Sequence, residues 1–383
     1  LAPFLLTFPK PMHRLRLLIA ALAAAASVRA QEPIRVGEIA SLTGKDAAFG
    51  QSSHDGTLLA VERLNASGGV LGRRIELTTE DDECKAGEAA TAARMLIARD
   101  RVTALLGEVA SSRSLEMAPI AEAERVPMIS PSSTNPKVTA IGPYIFRVCF
   151  IDPFQGTVMA KFAFETLHLR RVAVLASVSS AYSVGLAQYF KSGFAERGGT
   201  IALEQKYSEG DKDFRSQLTV IKAAGVDGIF VPGYYTEAAL ICVQARDLGL
   251  SVPIFGGDGW EGSPLLSIGG KAVEGTYYST HYSPDDPAPV VRDFVARYKA
   301  RFGGETPDAM AALGYDSVMV LADAIRRAGT TDGAAVRDAL AATRDFPGVT
   351  GRTTIDAHRN ASKAAAIFTV RDGQFKFVQS IAP

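Results

Sequence analysis

Cysteine and histidine are scarce in this 383-residue chain, and charge of one sign is not in excess. Three cysteines, Cys84, Cys149 and Cys242, stand too far apart for a metal-binding spacing. Of the five histidines, one falls in the N-terminal leader, and His54, His168, His281 and His358 read as ordinary polar residues. Lys plus Arg and Asp plus Glu both number 41, a formal net charge of zero. Such a balance argues against nucleic acid or an anionic membrane as the main partner. No P-loop pattern and no G-x-S-x-G elbow occur. The glycines of "GGVLGRR" (68–74) precede a strand, the wrong context for a nucleotide fingerprint. The acidic run "EDDEC" (80–84) leads into a helix start, where acids are stabilising without any ion. No nucleophile can be given a base, so the expectation is a protein that is not an enzyme, with no cofactor and no metal.

One apolar run stands out, and it is short. In "MHRLRLLIAALAAAASVRAQEP", basic Arg14 and Arg16 precede an apolar stretch that closes on the small-residue pattern Val28-Arg29-Ala30. That order predicts a secretory signal peptide, Met12 to Ala30, cleaved after Ala30. A membrane span needs about 20 apolar residues, more than this stretch holds. Residues 1–11 read as an extension ahead of a start at Met12, and 1–30 are set aside as a leader. No cysteine follows the cleavage point to carry a lipid, so a soluble protein exported to the periplasm is expected. Export permits one disulfide with one thiol left over, but three buried free thiols is the preferred reading.

What remains is a regular alternation of strand and helix. "IRVGEIA" (34–40) is followed by a helical stretch near 50–66, "RIELTTED" by a helix over 86–100, and "VTALLGE" by a helix to Glu124 that leads into "VPMIS". A second series begins after Pro153: helix 154–167, strand 171–177, helix 183–196, strand 200–207, helix 214–224, strand 228–232, helix 236–248, then strands at "VPIFGG" and near 274–280. Helices over 289–302 and 308–328 follow, and "AAIFTVRDGQFKFVQ" reads as a hairpin turning on Asp372-Gly373. Alternation of this kind means βαβ units. The predicted fold class is α/β, with two doubly wound parallel-sheet lobes joined by a three-crossover hinge. The first lobe would take 31–149 plus 282–355, and the second 150–281 plus 356–383. A hinge of that kind suits closure on a ligand.

In open α/β sheets, ligands sit beyond the carboxyl ends of the strands. The first lobe's strand ends carry "SLTGKDAAFG" with Phe49, "VASSRS" with Ser111, and "SPSSTNP" with Ser132, Ser133 and Thr134. Hydroxyls and free helix N-terminal amides suit an anion. The second lobe's strand ends carry Tyr182, "GYYTE" with Tyr234, and "DGWEG" with Asp258 and Trp260. Aromatics and a carboxylate suit a cation with an apolar body. An α-amino acid combines both ends. Each residue has a plainer reading: Ser111 an N-cap, the tyrosines packing groups, Asp258 a turn residue, Trp260 core. Their joint placement at strand ends favours a site.

The phrases "IRVGEIASLTG", "LNASGGVLGRRIEL", "SPSSTNPKVT", "FRVCFIDPFQG", "AYSVGLAQ", "GYYTEAALICVQARDLG" and "GGDGW" run from Ile34 almost to the C-terminus. Through them the chain resembles the type I periplasmic binding proteins of branched-chain amino acid ABC transporters. The resemblance implies a monomer that captures a small amino acid and delivers it to an inner-membrane permease. It implies that Ser111 holds the ligand carboxylate, with Ser132 and Thr134 contributing contacts to carboxylate and ammonium. It implies Tyr182 and Tyr234 as second-lobe contacts, Asp258 as the ammonium-binding acid, and Phe49 as an aromatic wall. Two departures stand out. The family's archetype bridges the cysteine of its "DDEC"-like segment to the residue before the matching serine, but that residue here is Ala110. The archetype's acid is Glu, one carbon longer than Asp258. A small amide, urea or an aromatic acid are alternative ligands, and a sensory receptor of the same fold is an alternative role. Neighbouring genes would separate sensing from transport.

Overall fold

The computed structural model describes residues 2–4 and 32–382. The predicted signal peptide, Met12 to Ala30, lies outside the described residues. Two sheets organise the chain. The first contains β1 (Ile34–Ala40), β2 (Ile75–Asp81), β3 (Ala104–Leu106), β4 (Met128–Ser130) and β5 (Ile145–Arg147), in the order β2-β1-β3-β4-β5, all parallel. The second contains β6 (Arg171–Ser177), β7 (Thr200–Tyr207), β8 (Gly228–Val231), β9 (Ile254–Gly256) and β10 (Tyr277–Thr280). A small separate ladder of β11 (Phe346–Gly348) and β12 (Gly351–Thr353) comes next in the chain. The hairpin β13 (Ala365–Arg371) and β14 (Gln374–Ile381) then completes the second sheet, whose order is β14-β13-β10-β9-β8-β6-β7. Strands β6 to β10 run parallel, and β13 and β14 add antiparallel to β10.

Local sequence accounts for these elements. Parallel strands covered on both faces need continuous apolar side chains, and in β6, "RVAVLAS", every residue after Arg171 is buried. The edge strand β14 instead mixes exposed and half-buried residues. The helix Ala309–Ala328 begins where Asp308 accepts the amide of Ala311 at 3.0 Å, and ends at Gly329 with φ 67°. It packs directly on the helix Ala47–Ala66. A Cβ on Gly56 would sit 1.9 Å from the Ala311 carbonyl oxygen, and one on Gly314 2.2 Å from that of Ser53. Backbone meets backbone there, so only glycine fits at either position.

The structure departs from expectation in three places. Strand β5 and the β11–β12 ladder were not predicted: β5 ends on Arg147, buried here but charged, and the ladder's Phe-Pro-Gly and Gly-Arg-Thr hold no apolar run. The helix expected over 154–167 is an α-helix at Asp152–Lys161 that widens into a π-helical turn at Phe162–Thr166. The third crossing also comes later than expected. Ile355 bridges to Ala361, and both are buried in the same core as the helix Ala309–Ala328. The chain therefore passes to the second sheet between Ala361 and Ala365, beyond the predicted boundary at 355/356. Among the described residues, no helix is long and apolar enough to cross a membrane.

Candidate functional site

Both sheets reverse strand order beside their earliest strand, β1 in the first and β6 in the second. Crevices at such switch points open beyond the strands' carboxyl ends, and the two face one another. On the first-lobe side, Glu108 follows β3 and ties it to the end of β1. Its carboxyl accepts the Ala110 amide at 2.6 Å, the Ser41 amide at 3.1 Å and the Ser41 hydroxyl at 3.1 Å. Burial, reinforced by nearby Asp82, pushes Glu108 up to about 8. Ser111 opens the helix Ser111–Ala123, whose first amides have no partner within the helix.

The hydroxyl run after β4 divides its labour. Ser130 Oγ donates to the Glu108 carbonyl at 2.8 Å and accepts the Ser133 amide at 2.9 Å. Ser133 Oγ lies 3.0 Å from the carbonyls of Glu108 and Val109 and 2.8 Å from Ser114 Oγ. These two serines stitch the β4 loop onto the β3 loop. Arg147, fully buried at the end of β5, donates to the Ser133 carbonyl, and to the Asn135 carbonyl at 2.8 Å. Ser132 alone of the run lines the cavity. Thr134 is buried beside Asp152, a carboxyl that burial pushes up to about 8 although the Thr134 hydroxyl draws it down.

On the second-lobe side, Ser180 caps the helix Ala181–Glu196 and sets Tyr182 in its first turn. Tyr234 stands at the N-cap of the helix Tyr235–Asp247, and the two rings stack with centroids 5.2 Å apart. Tyr182 Oη accepts the Gly259 amide at 3.1 Å. Asp258 begins a single 3-10 turn after β9, with its side chain 4% exposed. Its Oδ1 accepts from Gln155 Nε2 at 2.7 Å, and its Oδ2 lies 2.8 Å from His281 Nε2.

Between these walls lies a cavity of about 10 Å³, room for about one water molecule. Six predicted residues line it, Phe49, Ser111, Ser132, Tyr182, Tyr234 and Asp258, joined by Val109, Gly259 and Met310. Its volume is far below the roughly 300–1,000 Å³ of pockets that take drug-sized ligands, so the walls must move apart to take even a small amino acid. Ser133, Thr134 and Trp260 are not in the lining. Ser133's hydroxyl is spent on carbonyls. Trp260 is fully buried behind the wall, its indole N–H donating to the Val231 carbonyl at 2.9 Å. It lies against Gly256, where a Cβ would be 2.0 Å from the indole nitrogen. His281, read from sequence as an ordinary polar residue, is buried and paired with Asp258. A wider groove of about 450 Å³ on the hinge side, lined in part by His281, Arg352 and Lys363, contains none of the predicted site residues.

Direct bonds also join the lobes at the cavity rim. Tyr235 Oη accepts the Ala48 amide at 3.2 Å and donates to the Lys45 carbonyl at 3.1 Å. The Ala181 amide donates to Ser112 Oγ at 3.0 Å, and Asn135 Nδ2 donates to the Ala181 carbonyl at 2.7 Å. Lys45 pairs with Glu209 at 3.2 Å, and Phe49 meets the edges of Tyr234 and Tyr235. The lobes are closed on each other.

The three cysteines are free. Cys84 Sγ accepts the Asp46 amide and donates to the Thr43 carbonyl, both at 3.3 Å, and burial pushes its thiol up to about 11. Burial pushes Cys149 and Cys242 up to about 12. At pH 8 only about a thousandth of Cys84 would be thiolate, and the thiolate is the nucleophile. Iodoacetamide is therefore expected to label the native protein slowly and the unfolded chain at all three positions. Mass spectrometry checks this, and rapid native labelling of Cys84 would contradict it. Among the described residues, no group of three or more His, Cys, Asp or Glu could hold a metal ion.

Two doubly wound lobes closed over a small cavity define a ligand-binding protein of the type I periplasmic fold. The chain belongs to the periplasmic binding protein family, whose model matches residues 33–374. It is similar to the crystal structure of a leucine binding protein LivK from Thermotoga maritima, with 42% identity, 91% of this chain and 99% of that chain covered, and a TM-score of 0.89. It is similar to the branched-chain amino acid transporter substrate binding protein LivJ from Streptococcus pneumoniae, solved in complex with isoleucine. There the identity is 33%, coverage 92% and 100%, and the TM-score 0.87. A leucine-, isoleucine-, valine-, threonine-, and alanine-binding protein from Pseudomonas aeruginosa is 32% identical over 352 residues, 91% of this chain and 93% of that protein.

Proposed function

We propose that this protein is a monomeric periplasmic substrate-binding protein, not an enzyme, that captures a small apolar amino acid, branched-chain in the first instance, and delivers it to an inner-membrane ABC permease. The observation that carries the reading is the opposed chemistry of the two cavity walls. The hydroxyls of Ser111 and Ser132 and the helix N-terminus at Ser111 suit an α-carboxylate. Asp258, across the cavity, suits the α-ammonium. Phe49, Val109 and Met310 offer an apolar surface for the side chain. The names of the relatives, which bind leucine, isoleucine or valine, support the same class. A binding role needs no cofactor, and the Ser111 hydroxyl accepts from the Asn135 amide at 3.2 Å rather than facing a base.

A thermal-shift screen tests the proposal. A ligand that binds only the folded state at one hundred times its Kd stabilises by about 2.7 kcal/mol. L-leucine, L-isoleucine or L-valine is expected to raise the melting temperature by several degrees. Acetamide, urea and benzoate are expected to leave it unchanged. A rise with one of those three and none with any amino acid would overturn the reading.

A further inference from the structure

Two carboxyls from opposite lobes meet on one helix start. Glu261 follows the turn that carries Asp258 in the second lobe, and Asp308 caps the helix Ala309–Ala328 of the first. Glu261 Oε1 accepts the Ala309 amide at 2.9 Å, and Oε2 bonds the Thr280 hydroxyl at the end of β10. Asp308 Oδ1 accepts the Ala311 amide at 3.0 Å and the Ser52 hydroxyl. Glu261, Thr280 and Ala309 are buried, while Asp308 keeps some contact with solvent. Among the described residues neither carboxyl forms an ion pair with Lys, Arg or His. Two carboxyls brought together without a cation hold a proton between them. Burial, reinforced by Asp308, keeps Glu261 well above the usual carboxylate range, and burial raises Asp308 against the pull of Ser52 and the helix amides. The bonding pattern admits the proton on Glu261. A protonated carboxyl keeps one oxygen to accept the Ala309 amide and gains an O–H, for which the Thr280 hydroxyl has lone pairs. Asp308, with an amide, a hydroxyl and water, is the partner that keeps its charge. We propose that Glu261 and Asp308 form a latch between the lobes that shuts with one proton on Glu261 and loosens when that proton leaves.

The other groups that face the pair supply no positive charge. Asp258, on the same turn as Glu261, adds to the repulsion. Tyr278 of β10 and Tyr282 of the second crossing both feel the two carboxyls, and burial keeps both phenols protonated. Tyr282 also feels Asp285 and Asp286, and Tyr298, on the helix Pro289–Arg301, feels Asp308, Asp55 and Glu305. His281 bonds Asp258, not Glu261. Opening the lobes parts the pair and returns Glu261 to water, where a glutamate titrates near about 4.3. The shut form thus has the raised pKa and the open form the ordinary one. Stabilisation of the shut form is therefore complete below the ordinary value and is lost as pH rises through the raised one, by up to about tenfold in the shut-to-open ratio per pH unit.

Two measurements on the ligand-free protein test the latch. Glu261→Gln keeps an acceptor for Ala309 and a donor for Thr280 but cannot titrate, and Asp308→Asn keeps a helix cap. Carbon-13 NMR of labelled glutamate side chains is expected to show that the carboxyl signal missing from Glu261→Gln titrates in wild type well above about 4.3, and lower in Asp308→Asn. An ordinary midpoint in wild type overturns the proton, and an unchanged midpoint in Asp308→Asn overturns the pairing. Small-angle scattering at pH 5.5 and pH 8 is expected to show wild type more compact at the lower pH. Glu261→Gln should stay about as compact at pH 8 as at pH 5.5. Lys45, Asp46 and Glu209 at the rim are the same in both proteins, so the difference between them belongs to Glu261. An equal response to pH in the two proteins overturns the latch. Neither measurement involves a ligand, so failure of every amino acid to bind would leave the latch standing, and failure of the latch would leave the amino-acid reading standing.

Discussion

Asp258→Asn is expected to weaken binding of a zwitterionic amino acid roughly 30- to several thousand-fold. The substitution keeps the shape but leaves a buried ammonium without its counter-charge, and breaking such a pair costs about 2–5 kcal/mol. Every 1.4 kcal/mol is about tenfold in affinity. The free protein's stability should change far less. One of the two donors on Asp258, Gln155 or His281, would face an amide N–H instead of an acceptor, a cost of about 1–3 kcal/mol. Ser111→Ala should weaken the same ligand from the carboxylate end, and by less. A ligand with no amino group should bind Asp258→Asn as well as wild type, or better. Calorimetric titration with the best ligand of the thermal screen decides the matter. An affinity unchanged within about threefold would remove Asp258 from the site.

Trp260→Ala should have its large effect on stability instead. The side chain is fully buried, lies against Gly256 and donates to the Val231 carbonyl. Truncating a buried Trp to Ala typically costs about 3–5 kcal/mol, because a cavity is left behind, and here a carbonyl also loses its partner. Urea unfolding of the ligand-free protein should show that loss. Trp260→Phe, which gives up the indole N–H and a smaller volume, should cost less and serve as the variant that folds. Because Trp260 does not line the cavity, ligand affinity in Trp260→Phe should remain within about tenfold of wild type. A variant that melts like wild type yet loses the ligand would put Trp260 back in the binding wall.

The alternation of strand and helix made the two-sheet architecture legible, since parallel sheets need buried apolar strands with helices between them. Strand β5 escaped because it ends on Arg147, whose charge reads as surface although here it is buried and bonded to two carbonyls. Strand ends were the right places to look for a cavity, but a strand end does not say which way a hydroxyl turns. Ser132 and Ser133 are adjacent and chemically identical, yet one lines the cavity and the other bonds carbonyls. Thr134 and Trp260 show the same limit. His281 was within reach, because it follows β10 as directly as Asp258 follows β9, and the strand-end rule applies to both. Without a metal-like spacing it had looked unremarkable. Gln155 and Met310 lie in the first turns of helices, where neither residue type carries a local signal. Only packing brings them to the site.

The bonds that join the lobes at the rim have a thermodynamic effect of their own. Tyr235, Ser112 and Asn135 do not line the cavity, yet each bonds the opposite lobe. They form without any ligand contact, so they contribute to the fraction of empty molecules that is already shut. Apparent affinity is the intrinsic affinity scaled by that fraction when only shut molecules bind. A typical net hydrogen bond is worth about 0.5–1.5 kcal/mol, so losing one rim bond can shift every ligand's apparent Kd by the same factor, up to about tenfold. Rank order among ligands would stay as it was. The rim thus tunes strength and the cavity tunes choice, and the sensitivity of uptake can drift at Tyr235 without the protein changing what it recognises.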